Sequence, residues 1–163
     1  MKQANAPRKA SPYRVRVQHE DFDLSAEVQA LRDGNAGIGA VASFVGLVRD
    51  LNEAQQVAVM ELEHYPGMTE RAISKIIDTA RERWRLLGVN VIHRVGKLHP
   101  TEQIVLVAVA SAHRGDAFEA CNFIMDFLKT EAPIWKKEST PAGHDQWVSS
   151  RSSDASAAQR WQR

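Results

Sequence analysis

The chain has 163 residues, enough for one domain that buries a core without help from disulfides or metals. Lys and Arg number 21 against 20 Asp and Glu, so no global charge excess points to nucleic acid or an anionic membrane surface, and any positive site must be local. The single cysteine, Cys121, excludes an intramolecular disulfide, and Ile104 to Ala110, the longest apolar run, is too short to span a bilayer, so a soluble, cytoplasmic protein is expected.

Residues 1–11 are polar and basic with no apolar segment behind them, which reads as a disordered leader and not a signal peptide. Tyr13 to Gln18 alternates Val15 and Val17 with Arg14 and Arg16, the signature of a half-buried strand. Leu24 to Arg32 reads as a short helix closed by Asp33, Gly34 and Asn35. Gly37 to Val45 then reads as a buried strand ended by Gly46. Leu47 to Gln56 is a charged connector, Val57 to Glu63 another strand, and Pro66-Gly67 a turn.

From Met68 to Trp84 apolar residues recur at helical spacing, with Glu70 near the start and Arg81 and Arg83 near the end, a polarity that suits the helix dipole. Val89 to Val95 and Gln103 to Ser111 read as an antiparallel pair separated by Gly96 to Glu102. Asp116 to Glu131 is a second strong helix, with Asp116 as N-cap and Glu119 completing a capping box. Its apolar arc takes in Phe118, Cys121, Ile124 and Leu128, and Phe123 and Phe127 are candidates for a subunit or subdomain contact. Pro133 stops it. Ile134 to Ser139 and Gln146 to Val148 are short strands around the turn Pro141-Ala142-Gly143, and the tail from Ser149 is weakly patterned, although Trp161 suggests that its end docks. The order β-α-β-β-α-β-β-α-β indicates an α+β fold, with 12–150 as one domain and 151–163 as a C-terminal tail.

Candidate chemistry gathers between Ser111 and Glu138. His113-Arg114 directly precede a helix N-terminus, whose unpaired N–H groups and positive dipole end suit a phosphate or carboxylate. Two readings stand for the pair, an anion cradle or a solvated arginine beside a satisfied histidine. Lys129 sits at the margin of the apolar arc, where partial desolvation would favour a neutral, proton-transferring amine; the alternative is a snorkelling lysine paired with Asp126. Lys136 and Glu138 share a strand face with Ile134, while Trp135 and Lys137 point the other way. Arg49 follows a strand end, a loop position that serves binding or solvent alike. Cys121 lies in mid-arc and reads as core. His19, His64, His93, His99, His113 and His144 show no metal-ligand spacing, so no zinc site is expected. With neither a phosphate loop nor a dinucleotide glycine motif, no cofactor is expected.

The strings ASFVGLVRD (42–50), ELEHYPGMTE (61–70), VIHRVGKL (91–98) and SAHRGDAFEACNFIMDFLKTEAPIWKKE (111–138) resemble the large, catalytic subunit family of molybdopterin synthase, a resemblance that covers roughly Gly37 to Val148. It implies an α/β hammerhead-like unit with an additional antiparallel β subdomain. It also implies a sulfurtransferase that converts cyclic pyranopterin monophosphate, precursor Z, into molybdopterin. The sulfur comes from the C-terminal Gly-Gly thiocarboxylate of a small ubiquitin-like subunit, and the assembly is a heterotetramer built on a dimer of large subunits. Carried over residue by residue, the resemblance implies Arg49, His113, Arg114, Lys129, Lys136, Lys137 and Glu138 as substrate-binding residues. Within that set Lys129 is the principal acid/base group and Lys136 engages the partner tail or the intermediate. The chain departs from the family pattern at Leu47, where a lysine is usual, and at Asp50, where an asparagine is usual.

Overall fold

Period-two alternation and two long amphipathic stretches sort the chain into sheets and helices that a computed structural model describes for residues 10–149 and 152–162. The leader lies almost wholly outside the described residues. The first sheet, in strand order β1-β6-β8-β2, is built from Tyr13–Gln18 (β1), Ala40–Leu47 (β2), Leu86–Arg94 (β6) and Gln103–Ser111 (β8), with β1 parallel to β6 and the other pairings antiparallel. Its central strands carry near-continuous apolar runs because both faces are covered. On one face pack Met68–Arg83 (α2) and Arg114–Glu131 (α3), burying Ile73, Ile77, Val89, Val107, Phe123 and Ile124. On the other, Leu24–Arg32 (α1) brings Leu31 against Ile92, Leu106 and Ala108.

The second sheet, in strand order β10-β9-β5-β7, is antiparallel throughout and comprises Val59–His64 (β5), Gly96–Leu98 (β7), Ile134–Ser139 (β9) and Asp145–Val148 (β10). It has a small core of its own around Val48, Met60, Leu62, Val95 and Leu98. The architecture is therefore the expected α+β fold with an added antiparallel β unit. Thr69, fully buried, joins the two parts: its hydroxyl accepts from the Tyr65 N–H at 3.1 Å and donates to the Pro133 carbonyl at 3.0 Å, fixing the start of α2 to the α3–β9 turn.

Several boundaries differ from expectation. The strand expected to end at Gly46 runs on to Leu47 through a bulge, because Gly46 packs flush on Val105, whose Cγ1 would stand 2.8 Å from any Cβ there. The connector after it contains a small hairpin, Leu51–Asn52 (β3) and Gln55–Gln56 (β4). The segment expected to link β6 and β8 supplies β7, turned into the second sheet at Gly96, which has φ +90° and lies against the His19 ring.

Helix α3 starts at Arg114 with His113 as N-cap, so Asp116 is a first-turn acid favoured by the dipole and not the expected cap of a capping box. Phe118 is 65% exposed and lies outside the buried arc, whereas Phe123 is fully covered within the chain and so is no subunit contact. Phe123 packs edge-on against Trp84 (5.2 Å) and Trp161 (5.4 Å), the latter at the end of a tail that forms Ser152–Gln159 (α4) and a 3-10 turn, Arg160–Gln162. Among the described residues no helix is long and apolar enough to cross a membrane.

Candidate active site

Where the two sheets meet α3, a cavity of about 770 Å³ opens. Three elements each bring a cation to its wall: Arg49 from the loop after β2, Lys129 from the last turn of α3, and Lys136 from β9. The local sequence explains each placement. Val48 is buried, donates its N–H to the Glu102 carbonyl at 2.9 Å and accepts from the Thr101 N–H at 2.8 Å, so the loop is pinned one residue before Arg49. Pro133 ends α3 and turns the chain into β9, and the alternation of that strand then aims Lys136 and Glu138 into the cavity.

Glu138 is buried and its Oε1 lies 3.5 Å from Lys136 Nζ, while the same oxygen accepts from Asn52 Nδ2 at 2.8 Å. Lys136 therefore has a fixed counter-charge behind it. Lys129 is exposed on the wall. Asp126, the carboxylate one turn back on α3, accepts at Oδ2 from Arg160 Nη2 and from Trp161 Nε1, each at 2.7 Å, and so anchors the tail. Asp154 of α4 also lines the cavity.

Lys137 does not reach the cavity. It occupies the opposite face of β9, 3.1 Å from Glu61 Oε2 and over the Trp147 ring, and the Glu61 carboxylate holds its ammonium above the usual lysine pKa. This corrects its expected place with Lys136 and Glu138, and the reason is the two-residue repeat of the strand. His113 and Arg114 are exposed and line a separate concavity of about 420 Å³ with Gly39, Ala40 and Gly115. They sit at the far end of β8; at about 3.3 Å per residue the strand puts roughly 26 Å between its ends. Within one chain the pair and the lysines do not converge.

His93 is a cavity residue that the sequence does not single out, because it has no metal-ligand spacing to another histidine and no motif beside it. It is buried, its Nδ1 lies 2.7 Å from the Arg94 carbonyl oxygen, and burial, helped by the nearby Lys129 charge, lowers its pKa to about 4. The ring is neutral at physiological pH, with Nδ1–H donating and Nε2 left as the acceptor. Asn52 was passed over as well, since its connector carried no strand signal. Cys121 is core: burial pushes its thiol up to about 11 and Sγ lies 3.7 Å from the Val107 carbonyl oxygen.

The cavity thus offers three cations, one buried carboxylate behind one of them and a neutral imidazole acceptor. That set suits one or two anionic groups and the delivery of protons to a leaving oxygen. Residues 17–131 match the family model described as MoaE protein. The chain is 62% identical over 147 residues, 90% of it and 83% of the relative, to the molybdopterin synthase catalytic subunit of Ralstonia nicotianae. Its fold overlays that of the molybdopterin biosynthesis MoaE protein from Burkholderia ambifaria with a TM-score of 0.79 at 58% identity, covering 91% of this chain and 97% of that one. The molybdopterin synthase from Staphylococcus aureus gives 0.74 at 31% identity, covering 82% and 96%.

Proposed function

Because the chain belongs to the MoaE family of molybdopterin synthase catalytic subunits, we propose that its cavity transfers sulfur from the C-terminal thiocarboxylate of a small ubiquitin-like subunit to cyclic pyranopterin monophosphate. The observation that carries this reading is the convergence of Arg49, Lys129 and Lys136 from three separate elements on one cavity. A cyclic phosphate and a thiocarboxylate are both anionic, and cations mounted on different elements can serve the two at once. The exposed apolar residues Phe44 and Leu47 at the same wall give a partner tail a surface to lie on. Leu47 brings no charge, so Arg49 carries the loop's contribution to the phosphate.

In this reading the thiocarboxylate sulfur attacks a carbon of the pterin side chain, forming a C–S bond while a C–O bond breaks, and water then cleaves the acyl C–S bond of the resulting thioester, leaving the sulfur on the pterin and the partner's tail as a carboxylate. Lys129, at the open wall, delivers the proton that the departing oxygen needs. Lys136, backed by Glu138, stabilises negative charge on the tail or on the intermediate it forms. His93 presents a neutral acceptor that adds no competing charge. His113 and Arg114 serve substrate only if another copy of the chain places them there, since their own cavity lies at the far end of β8; the dimer implied by the resemblance supplies such a copy.

Reconstitution tests the proposal. The purified chain, given precursor Z and thiocarboxylated small subunit, is expected to form molybdopterin and release the partner as a plain carboxylate. Stable partner binding with no product contradicts it.

A further inference from the structure

Asn52 stands out in its surroundings. In the hairpin loop 51–56 it is the buried residue; Leu51, Glu53, Ala54, Gln55 and Gln56 are all exposed. A polar side chain is buried there for a reason that the geometry supplies: Nδ2 donates to Glu138 Oε1 at 2.8 Å, across 86 positions of sequence, and that oxygen faces Lys136 Nζ at 3.5 Å. A buried carboxylate needs donors, and a neutral amide provides one without adding a second cation that would compete with Lys136. The two residues after Asn52 both hold positive φ, Glu53 at 48° and Ala54 at 67°, so the chain accepts an unfavourable turn that keeps Asn52 aimed inward. Arg49 lies three residues upstream on the same loop.

We propose that Asn52 is a positioning residue of this site. It sets the rotamer of Glu138, through it the place of Lys136, and it ties the loop that carries Arg49 to the wall that carries Lys136. This rests on the sulfur-transfer reading of the cavity, and the test separates the two.

Molybdopterin formation is measured against pH for wild type, Asn52→Ala and Asn52→Asp, with thermal unfolding as a check on folding. At neutral pH both variants are expected to lose roughly 10- to 100-fold in kcat/KM, the scale of a misplaced catalytic group. The pH dependence is what a merely structural role would not move. Asn52→Asp places two carboxylates together, which raises the pKa of the pair. As pH falls, a protonated Asp at position 52 donates again to Glu138, so the activity of this variant relative to wild type climbs, while that of Asn52→Ala stays flat. If Asn52→Ala fails to fold, the near-isosteric Asn52→Asp still gives the rising ratio or does not. Wild-type kcat and KM in Asn52→Ala, or a flat ratio in Asn52→Asp, overturn the proposal while leaving the sulfur-transfer reading standing. A wild-type chain that makes no molybdopterin overturns that reading and this proposal with it.

Discussion

His93 couples the stability of the domain to pH. Its folded pKa, about 4, lies below the ordinary 6.5 because burial disfavours the imidazolium. As pH falls the unfolded chain takes up the proton first. The stabilisation is therefore complete above the unfolded value and is lost as pH drops from 6.5 toward 4, by on the order of 3 kcal/mol. Denaturant unfolding of wild type and His93→Gln across that window is expected to show the variant with the shallower acid slope; parallel slopes would rule His93 out as the source. At this scale the sequence was legible where periodicity decides orientation. Strand alternation separated Lys136 and Glu138 from Lys137 correctly, and the resemblance still grouped all three. The exposure of Lys129 and the burial of His93 were not legible, because both depend on how far the second sheet stands from α3, which no local pattern encodes.

The hairpin of β3 and β4 is the element that local rules would least predict. A two-residue loop between antiparallel strands calls for positive φ at both centres, and Asn-Gly is the usual solution. Here Glu53 and Ala54 fill those places. Ala54→Gly is therefore expected to stabilise the domain by about 1 kcal/mol, raising Tm by about 2–4 °C in a chain of this size, as a calorimetric scan would show. A lowered Tm would mean that Ala54 does not hold the left-handed conformation. The same absence of Gly or Asn explains why the segment reads as a connector. Helix α3 shows the opposite error. Asp116 has the composition of a cap, but the chain is already helical from Arg114, since the extended geometry at His113 (φ −129°, ψ 144°) ends the preceding segment there. Helix α2, by contrast, lies within one residue of its expected bounds, because its stripe of Ile73, Ile76, Ile77 and Ala80 packs on the sheet without tertiary interruption.

Across the whole molecule, the candidate site residues divide between two ends of one sheet. The lysines and Arg49 stand near the Gln103 end of β8 and His113-Arg114 beyond its Ser111 end. If both serve one substrate, they come from different copies. Mixed dimers then offer a test: Lys129→Ala and Arg114→Ala subunits, each inactive alone, are expected to regain part of the wild-type rate when combined, because one of the two shared sites is intact. No recovery from a mixture shown to exchange subunits would put the pair outside the site. The general α+β layout was readable from strand lengths and turn signals, whereas the second sheet was expected only from the resemblance, which implied an additional antiparallel β unit. The division of the candidate anion-binding residues was not readable, since the sequence proximity of His113 to Lys129 conceals the length of α3, which runs between them.

Under the proposed function the cavity holding Arg49, Lys129 and Lys136 performs the sulfur transfer, with Lys129 moving the proton. Its most direct test is single-turnover molybdopterin formation by Lys129→Ala beside wild type, at saturating precursor Z and thiocarboxylated partner. The exposed position of Lys129 leaves the fold intact when it is truncated, so the variant is expected to unfold at the wild-type temperature and bind the partner normally while product formation falls by about 100-fold or more. Product formation at the wild-type rate in that variant would remove Lys129 from the proton transfer.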